Sequence, residues 1–177
     1  MRRYTRLEHG AGLGDLGQPL TLQRQSLYSL KAAAVAPVGA TQLTLTGLPE
    51  GLERVLPGDS FTLALVHTIS AEGTAAGGMV VARFTPALPA PVAVGTGLKL
   101  ARLFAYPCRG WAERLDTAHI LAPGVTVGDW AVSLFCPSLA LAPRVGDRVV
   151  IDGVPRTIRN VGRDLAGAMW SLLCAQG

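Results

Sequence analysis

Charge is scarce in this chain: Asp, Glu, Lys and Arg together make up 16% of its 177 residues, against roughly a quarter in an ordinary soluble domain. Lysine is almost missing, since only Lys31 and Lys99 stand beside fourteen arginines. A surface so poor in solubilising charge belongs to a chain that spans a membrane, hides its surface in an assembly, or aggregates. Long apolar runs are missing as well. Stretches such as Ala32–Val38 and Trp130–Cys136 reach seven residues, far short of the ~18 that a membrane-spanning helix needs, so no membrane partner is expected. The basic residues Arg2, Arg3 and Arg6 are followed by Glu8, His9, Asp15 and several glycines. A secretory signal would place its apolar segment there, so a cytoplasmic origin is expected.

Chemically reactive residues are few and scattered. Cys108, Cys136 and Cys174 form an odd set with no CxxC spacing and no neighbouring histidine, so a zinc site lacks its fourth ligand. They read as buried, reduced thiols behaving as small hydrophobes. His9, His67 and His119 lie far apart and read as structural or surface residues. No GxSxG, HExxH or GxxxxGK[ST] pattern occurs, and the glycines at Gly10, Gly12 and Gly14 have neither a strand before them nor a lysine after them. No enzyme activity, metal or cofactor is expected. Asp59, Asp129, Asp147 and Asp152 each adjoin a glycine, where a carboxylate binds backbone amides of its own turn. Trp111, Trp130 and Trp170 all fall in the second half, near Arg109, Arg114 and Arg148. Such a set serves either a core or the base-stacking face of a single-stranded nucleic-acid-binding barrel. Trp130 and Trp170 lie in alternating apolar runs, which favours the core.

The chain is 49% hydrophobic with 21 Gly and 12 Pro, and its apolar residues come in short β-compatible runs between turn formers, the pattern of sandwiches and barrels. Residues 1–30 read as a flexible N-terminal arm, with a weak amphipathic stretch from Pro19 to Leu30 in which Leu20, Leu27 and Leu30 share a face if helical. A first β module is expected over 31–105, with strands at Gln42–Thr46, Phe61–Val66, Met79–Phe84 and Leu98–Phe104. Tyr106-Pro107 marks the boundary, and a second module over 106–177 holds strands near Gly110–Leu115, Thr117–Leu121, Trp130–Cys136, Arg148–Ile151, Pro155–Val161 and Trp170–Ala175. Asp152-Gly153 between β-branched runs predicts a tight hairpin with a type I′ turn. Spacing the strands about ten residues apart leaves no room for crossover helices, so the fold class is all-β with two small barrel or sandwich modules. Two segments echo each other, Leu56-Pro57-Gly58-Asp59-Ser60-Phe61 and Arg144-Val145-Gly146-Asp147-Arg148-Val149. Turn chemistry alone accounts for that likeness.

The run Pro143-Arg144-Val145-Gly146-Asp147-Arg148-Val149-Val150-Ile151-Asp152-Gly153, then Thr157-Ile158-Arg159-Asn160-Val161-Gly162-Arg163-Asp164 and Trp170-Ser171-Leu172-Leu173, resembles the head-completion or stopper neck proteins of long-tailed bacteriophages. The first half, with Val38–Leu48, Pro57–Thr62 and Phe84–Leu88, is similar to β modules of phage virion proteins. The resemblance implies a non-enzymatic virion protein that assembles in the host cytoplasm into a ring of about six or twelve copies. Such a ring seals the DNA-filled head and meets portal or adaptor proteins on one side and the tail on the other. A tail or baseplate subunit, such as a tail terminator or distal tail component, is the related alternative. Arginine favours bidentate contacts with carboxylates and phosphates over plain solvation. The resemblance therefore directs Arg144, Arg148, Arg156, Arg159 and Arg163 toward acidic neighbours or packaged DNA in the channel.

Overall fold

Alternation of apolar and polar residues recurs along the chain, and in the computed structural model strands are the dominant element of the residues described, 17–116 and 125–175. Among these residues the strands are β1 (Gln18–Ala32), β2 (Gln42–Thr46), β3 (Arg54–Val55), β4 (Ser60–Thr62), β5 (Val66–Ala71), β6 (Gly73–Thr74), β7 (Met79–Thr85), β8 (Gly97–Arg114), β9 (Trp130–Phe135), β10 (Arg148–Ile151), β11 (Val154–Arg163) and β12 (Met169–Cys174). The all-β class expected from the sequence holds. No helix among the described residues is long and apolar enough to cross a membrane.

Two compact units emerge: a central unit, Gln25–Phe104, and a terminal unit drawn from both sides of it, with its first part ending at Arg24 and its second beginning at Ala105. The residues read as an arm are therefore corrected in part. From Gln18 to Leu30 they form most of β1, in which Leu20, Leu22, Leu30 and Ala32 are buried. Leu20 and Leu22 enter the core of the terminal unit, while Leu30 and Ala32 enter that of the central unit. Leu27, which the helical reading placed on the buried face, is 59% exposed. Residues 1–16 of the expected arm lie outside the described residues, as does the expected strand Thr117–Leu121.

Tyr106-Pro107 does not end a strand either, because β8 runs through both residues. β8 pairs with β4 at Leu100 and Ala101 and with β9 from Gly110 to Arg114, so neither of these two ladders uses an N–H at Pro107. The missing N–H falls between these ladders. Likewise Phe61–Val66 is not one strand. A turn closed by the Leu63 N–H donating to the Leu65 carbonyl at 3.0 Å splits it into the ends of the β4–β5 hairpin, in which Thr62 pairs with Val66.

In the central unit the strand order is β8-β4-β5-β7-β2-β1, and in the terminal unit it is β1-β10-β11-β12-β9-β8. Each order returns to its start because β1 also pairs with β8. The two orders are the same when β1 and β8 exchange roles, so that β1, β2, β4, β5, β7 match β8, β9, β10, β11, β12 in chain order. The ribbon β3–β6 is an addition to the central unit. Phe61, Ile69, Phe84 and Leu100 anchor the central core, and Leu22, Leu134, Ile151 and Ile158 the terminal one. Burying each such side chain is worth about 1.5–3 kcal/mol.

The echo noted in the sequence falls at matching points of this repeat. Gly58-Asp59 precedes β4 and Gly146-Asp147 precedes β10, and Gly128-Asp129 precedes β9 with the same geometry. In each turn the glycine adopts positive φ (92°, 93° and 90°), and its N–H donates to the carbonyl of a single residue of a neighbouring segment. That residue's own N–H returns a bond to the Asp carbonyl, the residues being Ile69, Ile158 and Leu115 in turn. The Asp Oδ2 accepts the N–H of the residue three before it, Leu56, Arg144 or Thr126, at 2.9 Å. Turn chemistry explains each loop, and the shared strand order explains why the loops before β4 and β10 recur at matching points.

Candidate interaction surface

The β10–β11 hairpin closes at Asp152 (φ 51°) and Gly153 (φ 78°), with Ile151 paired to Val154, as a type I′ turn requires. Of the arginines singled out in the sequence, Arg148 lies on β10, Arg156, Arg159 and Arg163 lie on β11, and Arg144 lies in the turn before β10. The structure sorts them. The Arg156 guanidinium lies over the Trp130 ring at 4.7 Å and that of Arg163 over Trp170 at 5.1 Å; Arg163 also donates to the Gly167 carbonyl at 3.0 Å. Arg159 approaches the buried Asp129 carboxylate at 3.6 Å. These three arginines hold the unit's own surface together. Arg144 and Arg148 are exposed, and of the five they are the ones whose side chains are free to meet a partner. The guanidinium on each of Trp130 and Trp170 occupies ring surface that a nucleic-acid base would need, and both rings pack against the core. Trp111 is 48% exposed, with its ring 4.8 Å from that of Phe135.

Two arginines that the sequence did not single out make the strongest polar contacts. Arg24 on β1 grips Asp147 through Nε–Oδ1 at 3.0 Å and Nη2–Oδ2 at 2.6 Å. Arg102 on β8 grips Asp59 through Nε at 2.9 Å and Nη2 at 2.6 Å. They occupy the same place in the repeat, next to the pairs Gln23↔Arg148 and Ala101↔Ser60. The hydrogen bond to its carboxylate raises each guanidinium further above its already high value, against the opposing effect of burial. The signal in the sequence was the pair of Gly-Asp turns, but nothing local names the arginine that each turn meets.

His67, one of the histidines read as structural or surface residues, is fully buried. Its ring stacks on Phe61 at 5.1 Å and meets Phe84 edge-on at 5.2 Å. Nδ1 lies 2.8 Å from the Pro86 carbonyl, which can only accept, so Nδ1 carries a proton and donates it.

The three thiols are free. Cys108 and Cys174 are core residues, as the sequence suggested, whereas Cys136 is half-buried. Burial pushes the Cys108 thiol up from 9.0 to about 11 and the Cys174 thiol to about 12. Thiolate is the reactive form, so iodoacetamide at pH 8 should modify Cys136 rapidly and the other two only as fast as the protein opens, as peptide mass spectrometry will show. The same shifts act on stability. An unfolded chain loses these protons near 9 and the folded chain only near 11 and 12, so folding stability is intact below pH 9 and falls as pH rises through these values. Each thiol adds a slope of about 1.4 kcal/mol per pH unit, and urea titrations of Cys108→Ala and Cys174→Ala should show a shallower alkaline decline.

Exposed large apolar side chains recur on both units: Leu27, Leu65, Val66 and Leu103 on the central one, Trp111, Val145, Val154 and Leu165 on the terminal one. Single exposed hydrophobes are ordinary. So many on a chain with only 16% charged residues mark surfaces made for contact. No protein-family model matches the chain, and no curated protein or solved structure is significantly similar to it.

Proposed function

We infer that the protein is a structural subunit of a bacteriophage virion, a ring-forming head-to-tail connector of the stopper type that works by packing against copies of itself and against its portal-side and tail-side neighbours. The observation that carries this reading is the apolar, charge-poor surface of both units, with Trp111, Leu103 and Val66 each about half exposed or more. A subunit in a closed ring covers such side chains with its neighbours. Within the terminal unit, Arg156, Arg159 and Arg163 brace the wall, leaving Arg144 and Arg148 to meet carboxylates or phosphates. A tail or baseplate subunit shares the same mechanics and differs only in its neighbours.

The first test is the mass of the purified protein by light scattering over a concentration series, followed by electron microscopy. A closed ring is expected, or a monomer that closes into one on portal-bearing heads. A lasting monomer that ignores heads and binds single-stranded DNA with steep salt dependence overturns the reading in favour of a nucleic-acid-binding barrel.

A further inference from the structure

The central unit carries a groove of about 780 Å³ across the outer face of β1, β8 and β4. Its apolar wall includes Leu27 and Val66, which are 59% and 60% exposed. Its polar rim includes Ser60 and Thr62, and Lys31 and Lys99 stand in the same lining. These are the only lysines in the chain. No carboxylate lines the groove, and among the described residues neither lysine forms an ion pair. Elsewhere on the chain the buried cations are matched: Arg24 and Arg102 each have an aspartate.

The groove also borders an open length of strand. The β4–β8 ladder stops at Phe61↔Leu100 and β4 ends at Thr62, while β8 extends back to Gly97. With Thr62 opposite Lys99 in that register, β8 has no strand beside it on that side over Gly97–Leu98 among the described residues. An extended chain laid there gains main-chain hydrogen bonds and directs alternate side chains into the groove. Two unpaired ammonium groups over an apolar wall select the chemistry of those side chains.

We propose that this groove docks an extended segment of a partner protein in which apolar residues alternate with carboxylates. The apolar residues cover Leu27 and Val66, and the carboxylates meet Lys31 and Lys99. The chain's own first sixteen residues are the wrong occupant, because Arg2, Arg3 and Arg6 outnumber Glu8 and Asp15. The docking does not depend on ring formation, and a failure of either leaves the other standing.

The test uses the full chain and a short fluorescein-labelled peptide of alternating valine and glutamate, followed by fluorescence anisotropy. Saturable binding is expected, with no binding of the matching valine–lysine peptide. The K31E/K99E variant should lose about tenfold or more in affinity for the glutamate peptide and gain binding of the lysine peptide. Both substitutions are on exposed residues, and an unchanged urea midpoint verifies that the fold is retained. Absence of binding, equal binding of both peptides, or an unaffected double variant overturns the proposal. Displacement of the probe by a peptide of residues 1–16 at equal or better affinity also overturns it, in favour of the chain's own N-terminal segment.

Discussion

Replacing Asp147 with alanine should lower the free energy of unfolding by about 3 kcal/mol, the low end of what breaking a buried ion pair costs. The substitution removes three bonds at once. Arg24 loses contacts at 3.0 and 2.6 Å, and the Arg144 N–H loses its acceptor at 2.9 Å. Arg24 keeps only the Ala142 carbonyl at 2.7 Å. Its side chain is 18% exposed, so water relieves part of the penalty, which is why the low end applies. Asp59→Ala should give a loss of the same size, because Arg102 is 12% exposed and is held in the same way. By contrast, Glu72→Ala breaks a pair exposed by 60% and 48% and should change stability by less than ~0.5 kcal/mol. Urea unfolding of the three variants measures all of this. A loss for Asp147→Ala no larger than that for Glu72→Ala would show that the carboxylate grip on Arg24 is not maintained in solution.

Gly110→Ala should be more damaging still, costing more than ~3 kcal/mol or preventing recovery of soluble protein. Gly110 pairs with Leu134 on β9, and a Cβ built on it meets the Ser133 carbonyl oxygen at 2.0 Å and the Leu134 Cα at 3.0 Å. On its other side, Gly17 approaches so closely that a Cβ on Gly17 lies 2.6 Å from the Gly110 oxygen. The closest obstacle is the β9 backbone, which no rotamer change can move aside, so an added methyl at Gly110 has to push the ladder apart. Gly162→Ala on β11 is the matched control. Its Cβ meets nothing closer than 3.6 Å, and a strand alanine there should be neutral or stabilise by about 0.5 kcal/mol. Thermal unfolding of the two variants separates close approach from loss of backbone freedom; similar midpoints would sink the argument.

What the sequence made legible follows from how local each signal is. β2, β9 and β10 alternate cleanly between glycine-bearing turns, and their observed ends fall within a residue of the expected ones. The Asp-Gly hairpin needs nothing beyond its own positive φ values. β1 was hidden because its inward residues serve two different cores, with Arg24, Ser26 and Tyr28 between Leu22 and Leu30, so neither half looks long enough to be a strand. β8 was cut in two at Pro107 because a proline stops a strand only where its N–H is needed, and that depends on neighbours far away in the chain. The grip of Arg24 on Asp147 spans 123 positions, and no pattern in a short window reports it. Arg156, Arg159 and Arg163 were visible as a dense basic set, but their tryptophan and aspartate partners come from β9 and β12 and from the turn before β9.

The use of β1 by both units also sets the timetable of biosynthesis. Once β8 has left the ribosome, the central unit has every strand it needs, and Lys31 can already pair with Thr46. The Thr21–Gln23 stretch of β1 must wait for Arg148–Val150 to be translated before that ladder can form. Until then β1 presents a bare edge bearing Leu20 and Leu22 to the crowded cell, the kind of edge on which nascent chains pair with the wrong neighbour. Contacts this distant in sequence also form slowly, so the yield of assembled protein should depend on translation speed and chaperone supply more than on the equilibrium stability of either core.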